Sequence, residues 1–261
     1  MTHITCSFPS FSLGTMAKFH IILPRQYGII TESDKDNVNA IPKSGYRTLY
    51  LLHGACDSAA DWLLHSRAAE LADKYHIAIV LPSVGNSFYL DGVNAVNAFT
   101  FLTNELLNYV RDVFPLSRKR EDTFLCGYSM GGYGAVRTGL LCPDIFGKII
   151  SLSGALDICY ATKFVNICGY LLPPELLNSK ELQDTDKNIF YLLTQTEYSA
   201  EQLPDFYLAC GKQDFFAGST TKFCDTATQK GLHTTCVMTE GEHNWDYWDP
   251  ALSESAKWLF E

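Results

Sequence analysis

The chain has 261 residues, of which 47% are hydrophobic, and a formal net charge of −9. An acidic chain lacks the clustered basic surface that nucleic-acid binding needs, and no apolar run reaches the roughly 18 residues of a membrane span. We therefore predict neither a nucleic-acid nor a membrane partner. The N-terminus lacks the basic start and apolar core of a signal peptide, so we expect a cytoplasmic protein.

The hydrophobic pattern predicts strands that alternate with helices. After an N-terminal strand pair near residues 11–23, the predicted strands cover residues 47–52, 77–81, 123–126, 148–152, 206–210 and 234–238. The predicted helices cover residues 60–74, 98–113, 133–141 and 220–230. This alternation predicts an α/β fold, with a mostly parallel central sheet covered by helices on both faces.

The length suits one α/β domain, and no linker rich in Pro, Ser or Gly divides the chain. The least hydrophobic stretch, residues 31–45, lies between two predicted strands and is predicted to be a surface loop. We therefore predict a single domain over residues 1–261.

Nine cysteines are scattered along the chain, mostly within apolar runs. Cysteines in such runs of a large domain usually behave as small buried hydrophobic residues. No CxxC or HExxH spacing occurs. We expect neither disulfides nor a zinc site.

The most informative motif is the G-x-S-x-G pattern of residues 127–131, which is centred on Ser129. A predicted buried strand precedes it and a predicted helix follows it, which is the setting of a nucleophile elbow. The two glycines suit a strained turn pressed between a strand and a helix. We predict that Ser129 is a nucleophile; the alternative is a structural turn.

A nucleophilic serine needs a general base, and the base needs an acid that fixes its tautomer. His243 follows the last predicted strand in a loop that contains glycine, whereas most of the other histidines lie at the terminus, in a strand, or in helices and at their ends. Two aspartates follow strands, Asp214 and Asp157. We favour Asp214, because the order Ser, Asp, His with the acid after the penultimate strand is the order of the fold that carries this elbow; Asp157 is then a helix cap.

An oxyanion hole needs two backbone N–H groups. We predict Met130, which follows the serine, as one donor and Ala55 as the other, with Cys56 as the alternative. His53 would shape this second loop without acting as the base. Trp245, two residues after His243, is the aromatic residue that we expect to contact the substrate.

With these motifs together, the chain resembles the tributyrin esterase group in the esterase D branch of the α/β-hydrolases, a branch that also contains S-formylglutathione hydrolases and feruloyl esterases. The resemblance covers nearly the whole chain, and its most specific segments are residues 49–54, 127–135, 209–214 and 243–248.

The resemblance implies an α/β-hydrolase fold with a small cap insertion around residues 158–193. It implies a serine carboxylesterase for short-chain acyl esters, with aryl or feruloyl esters as an option, that needs no cofactor and uses Ser129, Asp214 and His243 as its triad. The partner is then a small-molecule ester, and the formation of a homo-oligomer stays open.

Formylglutathione hydrolases of this branch continue the oxyanion loop with a Leu-Thr-Cys-like sequence, where this chain has Ala55-Cys56-Asp57. This departure favours an ordinary ester over a glutathione thioester as the substrate, so a thioesterase is the alternative function. An acyltransferase with the same triad, and a non-catalytic binding protein on the same fold, are further alternatives.

Overall fold

The computed structural model describes residues 1–25, 41–167, 174–176 and 178–261. Eight of the strands in the described part of the chain form one central sheet, and two short strands form a separate hairpin. The strands are β1 (Thr2–Ser10), β2 (Thr15–Leu23), β3 (Thr48–Leu52), β4 (Ala78–Pro82), β5 (Asp91–Val93), β6 (Val96–Asn97), β7 (Thr123–Tyr128), β8 (Lys148–Leu152), β9 (Asp205–Gly211) and β10 (Thr234–Thr239).

The central sheet has eight strands in the order β1-β2-β4-β3-β7-β8-β9-β10. The pairs from β4 to β10 are parallel, whereas β2 is antiparallel to both of its neighbours. The predicted mostly parallel sheet is confirmed. All residues of β3, β4 and β7 are buried, which is why these strands read as continuous apolar runs in the sequence.

Helices cover both faces of the sheet. They are α1 (Ala59–His65), α2 (Ala68–Tyr75), α3 (Ala98–Thr100), α4 (Leu107–Val113), α5 (Met130–Leu141), α6 (Ile158–Ile167), α7 (Ser179–Leu182), α8 (Ile189–Gln195), α9 (Ala217–Gln229) and α10 (Trp245–Phe260). A π-helical segment, Phe101–Leu106, joins α3 to α4. Alternate residues of β3 enter opposite cores: Tyr50 and Leu52 pack with α5, and Leu49 and Leu51 pack with α1, α2 and α10.

The N-terminal hairpin differs from its prediction. The strands are Thr2–Ser10 and Thr15–Leu23, and residues 11–14 form the turn between them. The prediction placed the strand pair too late because β1 is an edge strand. Much of β1 is exposed and polar, so it contains no apolar run that a sequence pattern could detect.

The helix predicted over residues 60–74 is in fact two helices. The backbone of Ser66 is extended, which ends α1. At the next residue, the carboxylate of Asp249 accepts hydrogen bonds from the backbone N–H of Arg67 at 2.8 Å and from its guanidinium Nε at 2.9 Å. A residue of α10, far away in the sequence, therefore contacts the chain at this break. Helix α10 itself was not predicted; it contains Pro250, and proline is unusual inside a helix.

The part of the predicted surface loop before residue 41 lies outside the described residues. The predicted cap segment, residues 158–193, contains α6, α7 and the start of α8, and residues 168–173 and 177 within it are also outside the described part. Across the described chain, no helix has both the length and the apolar character to cross a membrane.

One expectation about the cysteines is wrong. Cys224 of α9 and Cys236 of β10 form a disulfide, with their Cα atoms 6.3 Å apart. The chain returns from α9 directly into the edge strand β10, and this return brings two cysteines 12 residues apart into contact. Disulfides are rare in the cytoplasm. The cytoplasmic location therefore remains a prediction that needs its own test.

Candidate active site

Ser129 occupies a sharp turn between β7 and α5. Its φ of 53° and ψ of −120° are strained for a residue other than glycine, and the residue caps α5. A Cβ atom at position 127 would collide with the backbone of Gly131, and one at position 131 would collide with the backbone of Leu52. Only glycine fits at both positions, so the chain can make this turn and hold the serine at the start of the helix.

Three predicted side chains meet at the carboxyl ends of the strands. His243 Nε2 lies 3.0 Å from Ser129 Oγ, and His243 Nδ1 lies 2.8 Å from Asp214 Oδ2. Asp214 follows β9 and His243 follows β10, so the parallel strands bring their loops to the same edge of the sheet. The structure thus brings together Ser129, His243 and Asp214, which are far apart in the sequence.

The carboxylate of Asp214, the candidate acid, is shielded from solvent. The side chain of Asp214 is 0% exposed, and that of His243 is 15% exposed. The backbone N–H of Phe216 donates to Asp214 Oδ1 at 2.8 Å, which leaves Oδ2 for the histidine. Because a carboxylate can only accept, the proton lies on Nδ1 of His243 and Nε2 is free to accept the serine proton.

The rival residues have other roles in the structure. Asp157 Oδ1 accepts a hydrogen bond of 3.0 Å from the backbone N–H of Tyr160, and the same carboxylate lies 3.5 Å from Lys222 Nζ. It therefore caps α6 instead of meeting the histidine. Cys126, the nearest thiol in the sequence, is fully buried in β7, and burial raises its pKa, so the thiol stays protonated and unreactive.

His53 shapes the loop after β3. Its Nε2 accepts a hydrogen bond of 3.1 Å from the N–H of Val84, so Nδ1 carries the proton and lies 2.8 Å from the carbonyl oxygen of Gly54. Complete burial lowers the pKa of His53, which favours this neutral form. The ring is therefore a structural support, and it lies apart from His243, the candidate base.

The same loop carries the two candidates for the second oxyanion donor. The N–H of Cys56 donates to Asn86 Oδ1 at 2.7 Å, and Asn86 Nδ2 donates to Cys56 Sγ at 3.6 Å. The Cys56 N–H is therefore already engaged. Ala55 lines the pocket beside Ser129 together with Met130, the first residue of α5. This arrangement favours Ala55 over Cys56 as the partner of Met130.

Asn86 holds Cys56 in a left-handed conformation, with φ at 66°. We expect Asn86→Ala to lower kcat by about 10- to 100-fold with little change in KM, because a displaced loop loses part of the stabilisation that an oxyanion donor supplies in the transition state. Steady-state hydrolysis of p-nitrophenyl acetate measures this. Asn86→Asp keeps the acceptor oxygen and should recover most of the loss, and Asn108→Ala, an exposed change on α4, is the control. An unchanged kcat in Asn86→Ala would contradict this role.

Ser129 and His243 line a pocket of about 300 Å³. Its apolar walls include Phe88, Ala155 and Phe216. Trp245, from which we expected a substrate contact, does not line this pocket. Its ring packs between Trp62 and Tyr128, and Trp248, one helical turn later, lies on the wall beside His243.

The position of these tryptophans follows from the start of α10. Asn244 caps the helix, with its side chain accepting a hydrogen bond from the N–H of Tyr247, so Trp245 is the first helical residue. Sequence reasoning also passed over Phe215 and Phe216 as pocket residues. Their position directly after Asp214 was a usable signal, because the loop that carries the acid must also border the site.

Comparison with known proteins agrees with this architecture. The family model described as "Putative esterase" matches residues 10–259. The acetyl esterase of Caldicellulosiruptor saccharolyticus is 35% identical over 239 residues, which cover 88% of this chain and 89% of that protein. The structure of the Staphylococcus aureus serine hydrolase FphF aligns with a TM-score of 0.84 at 26% identity, covering 100% of this chain and 98% of FphF. The S-formylglutathione hydrolase FrmB of the same organism aligns with a TM-score of 0.82 at 25% identity, covering 100% and 99% of the two chains.

The parallel sheet, the elbow after β7 and these likenesses define a carboxylic ester hydrolase with the α/β-hydrolase fold. The chain belongs to the Esterase family, whose model covers almost its full length.

Proposed function

We propose that this protein is a serine carboxylesterase that hydrolyses short-chain acyl esters through an acyl-enzyme on Ser129, as in the tributyrin esterase group. The observation that carries the proposal is the hydrogen-bonded series from Ser129 Oγ through His243 to the buried carboxylate of Asp214. The likeness to an acetyl esterase supports a small acyl group.

The geometry supports a two-step reaction. Ser129 Oγ attacks the ester carbonyl carbon while His243 Nε2 accepts the serine proton, and the N–H groups of Met130 and Ala55 stabilise the oxyanion. The C–O bond to the alcohol then breaks as His243 returns the proton to the leaving oxygen. A water molecule then attacks the acyl carbon while His243 Nε2 takes its proton. The bond between the acyl carbon and Ser129 Oγ breaks as His243 returns that proton to Oγ, which releases the carboxylic acid and free Ser129.

The proposal is tested with a panel of purified substrates. We expect turnover of p-nitrophenyl acetate, with kcat/KM at least tenfold above that for S-formylglutathione and methyl ferulate. A preference for S-formylglutathione would identify a thioesterase instead. Acyl transfer to an added alcohol in preference to water would identify an acyltransferase, and a folded protein inert towards every ester would contradict the proposal.

Acyl length should show a clear optimum. The pocket is small, and buried side chains such as Met130, Ala155 and Phe216 form its floor. Each methylene that fits adds roughly 1 kcal/mol to transition-state binding, and each one that does not fit loses a similar amount. We therefore expect kcat/KM to peak at about two to four acyl carbons, which p-nitrophenyl acetate, butyrate and octanoate will measure. A maximum of kcat/KM at octanoate would show that the pocket accepts long acyl chains and would contradict this prediction.

A further inference from the structure

The pocket has an apolar floor and a more polar rim. On the floor, Met130 and Ala155 are each 1% exposed and Phe216 is 2% exposed. At the rim, Cys56 is exposed and Asp57 is partly exposed; both belong to the oxyanion loop, and the exposed ring of Phe215 lines the same pocket. The acyl group and the alcohol group of a bound ester can therefore contact different kinds of side chain.

The direction of the reaction assigns these surroundings to the two halves of the ester. After the first step the acyl group stays on Ser129 while the alcohol must depart into solvent. A small acyl group gains most from the buried floor, because burial of apolar surface is favourable. The alcohol consequently lies along the open rim, where Asp57 is located.

Asp57 is held in place by Tyr128, whose hydroxyl donates to Asp57 Oδ2 at 2.6 Å. Burial, together with this hydrogen bond, raises the pKa of Tyr128, so the hydroxyl stays protonated and remains a donor. In the described part of the chain, Asp57 Oδ1 has no hydrogen-bond donor within the protein. No lysine or arginine is among the described residues that line the pocket.

We propose that Asp57 makes this rim a leaving-group subsite that favours cationic or hydroxyl-rich alcohols and disfavours anionic ones. The inference rests on the proposed esterase function and adds its alcohol specificity. A fixed carboxylate with an open oxygen accepts hydrogen bonds from hydroxyl or ammonium groups. It repels a second negative charge, and no lysine or arginine in the described lining offsets this repulsion.

The subsite has a consequence for thioesters of glutathione. The glutathione leaving group carries two carboxylates and one ammonium group, so it is anionic overall. Repulsion by Asp57 would weaken its binding at the rim. The expected preference for simple acetyl esters over S-formylglutathione thus has an electrostatic cause in this chain.

The test uses three acetyl esters of the same phenol skeleton, whose 3-substituents are cationic, neutral and anionic: trimethylammonium, carboxamide and carboxylate. The kcat/KM of each ester is measured for the wild type, for Asp57→Asn and for Asp112→Asn. Asparagine keeps an oxygen for the Tyr128 hydroxyl, so the loop is preserved. Asp112 is an exposed residue on α4 outside the pocket lining, and its change removes the same charge elsewhere.

We expect the ratio of kcat/KM for the cationic ester to that for the anionic ester to fall by about 3- to 10-fold in Asp57→Asn and to change less than twofold in Asp112→Asn. Comparing one ester across the variants cancels its intrinsic reactivity. Added salt should reduce the difference between the wild type and Asp57→Asn.

Two failures are distinguishable. If all three esters are hydrolysed and the ratio is the same in the wild type and in Asp57→Asn, the subsite is wrong while the esterase function stands. If a folded wild type hydrolyses none of them, nor any other ester, the proposed function fails and the subsite fails with it.

Discussion

Ser129→Ala is expected to lower kcat for p-nitrophenyl acetate by about 10⁵- to 10⁶-fold. Alanine has no oxygen that could attack the ester or carry the acyl group, and the remaining oxyanion donors alone provide only a small residual rate. The fold should persist, because alanine is no larger than serine and meets the same φ of 53°. Steady-state assays measure the loss, and mass spectrometry after treatment with a fluorophosphonate should show an adduct only on the wild type.

The control for this variant is a matched change in the neighbouring strand. Cys126→Ser alters the thiol that is nearest to Ser129 in the sequence, which is buried in β7, and should leave the fluorophosphonate adduct in place. Thermal unfolding of each variant shows whether the protein is still folded. If folded Ser129→Ala kept a tenth of the wild-type rate, the nucleophile would have to be another residue.

The central strands could be predicted from the sequence because burial on both faces requires apolar residues throughout the strand. Strands β3, β4 and β7 are buried on both faces, so they are uniformly apolar. Edge strands have a weaker hydrophobic pattern, because one side faces solvent and polar residues alternate with apolar ones. This is why the first strand of the N-terminal hairpin was placed too late, whereas the parallel core was correct.

The arrangement of the site could be anticipated only in part. Ser129, Asp214 and His243 follow β7, β9 and β10, and these positions could be predicted from the sequence. Parallel strands bring the loops at their carboxyl ends to one edge of the sheet. The contact between Asn86 and Cys56 joins residues that are 30 apart in the sequence, and the contact between Asp57 and Tyr128, the last residue of β7, joins residues that are 71 apart. No periodicity connects such pairs, so only the structure could reveal them.

The disulfide and the tryptophans illustrate a second limit. Whether Cys224 meets Cys236 depends on the register between a helix and the strand that follows it, which the spacing of the cysteines does not determine. Whether Trp245 or Trp248 borders the pocket depends on the residue at which α10 begins. Shifting a helix start by one residue rotates its side chains by roughly 100°. The disulfide was missed although both α9 and β10 were predicted, whereas the tryptophan prediction failed because α10 itself was not predicted.

The two aspartates that follow strands should respond very differently to the same change. Asp214→Asn is expected to lower kcat by about 10⁴-fold, because the amide can donate to Nδ1 of His243 and so stabilise the tautomer that cannot accept the serine proton. Asp157→Asn should lower kcat less than about threefold, because an asparagine oxygen still caps α6 and the residue makes no contact with the histidine.

These variants also show whether a loss of activity comes from a displaced loop or from the changed hydrogen bond to His243. Asp214 Oδ1 accepts the N–H of Phe216, and an asparagine can retain that bond, so the loop and the pocket wall should stay in place and KM should change little. Steady-state kinetics on p-nitrophenyl acetate, with thermal unfolding of both variants, measure the difference. Because Asp157 lies at the cap of α6 and Asp214 lies 2.8 Å from the histidine, a larger loss for Asp157→Asn would require the acid to be reassigned and the geometry to change in the active protein.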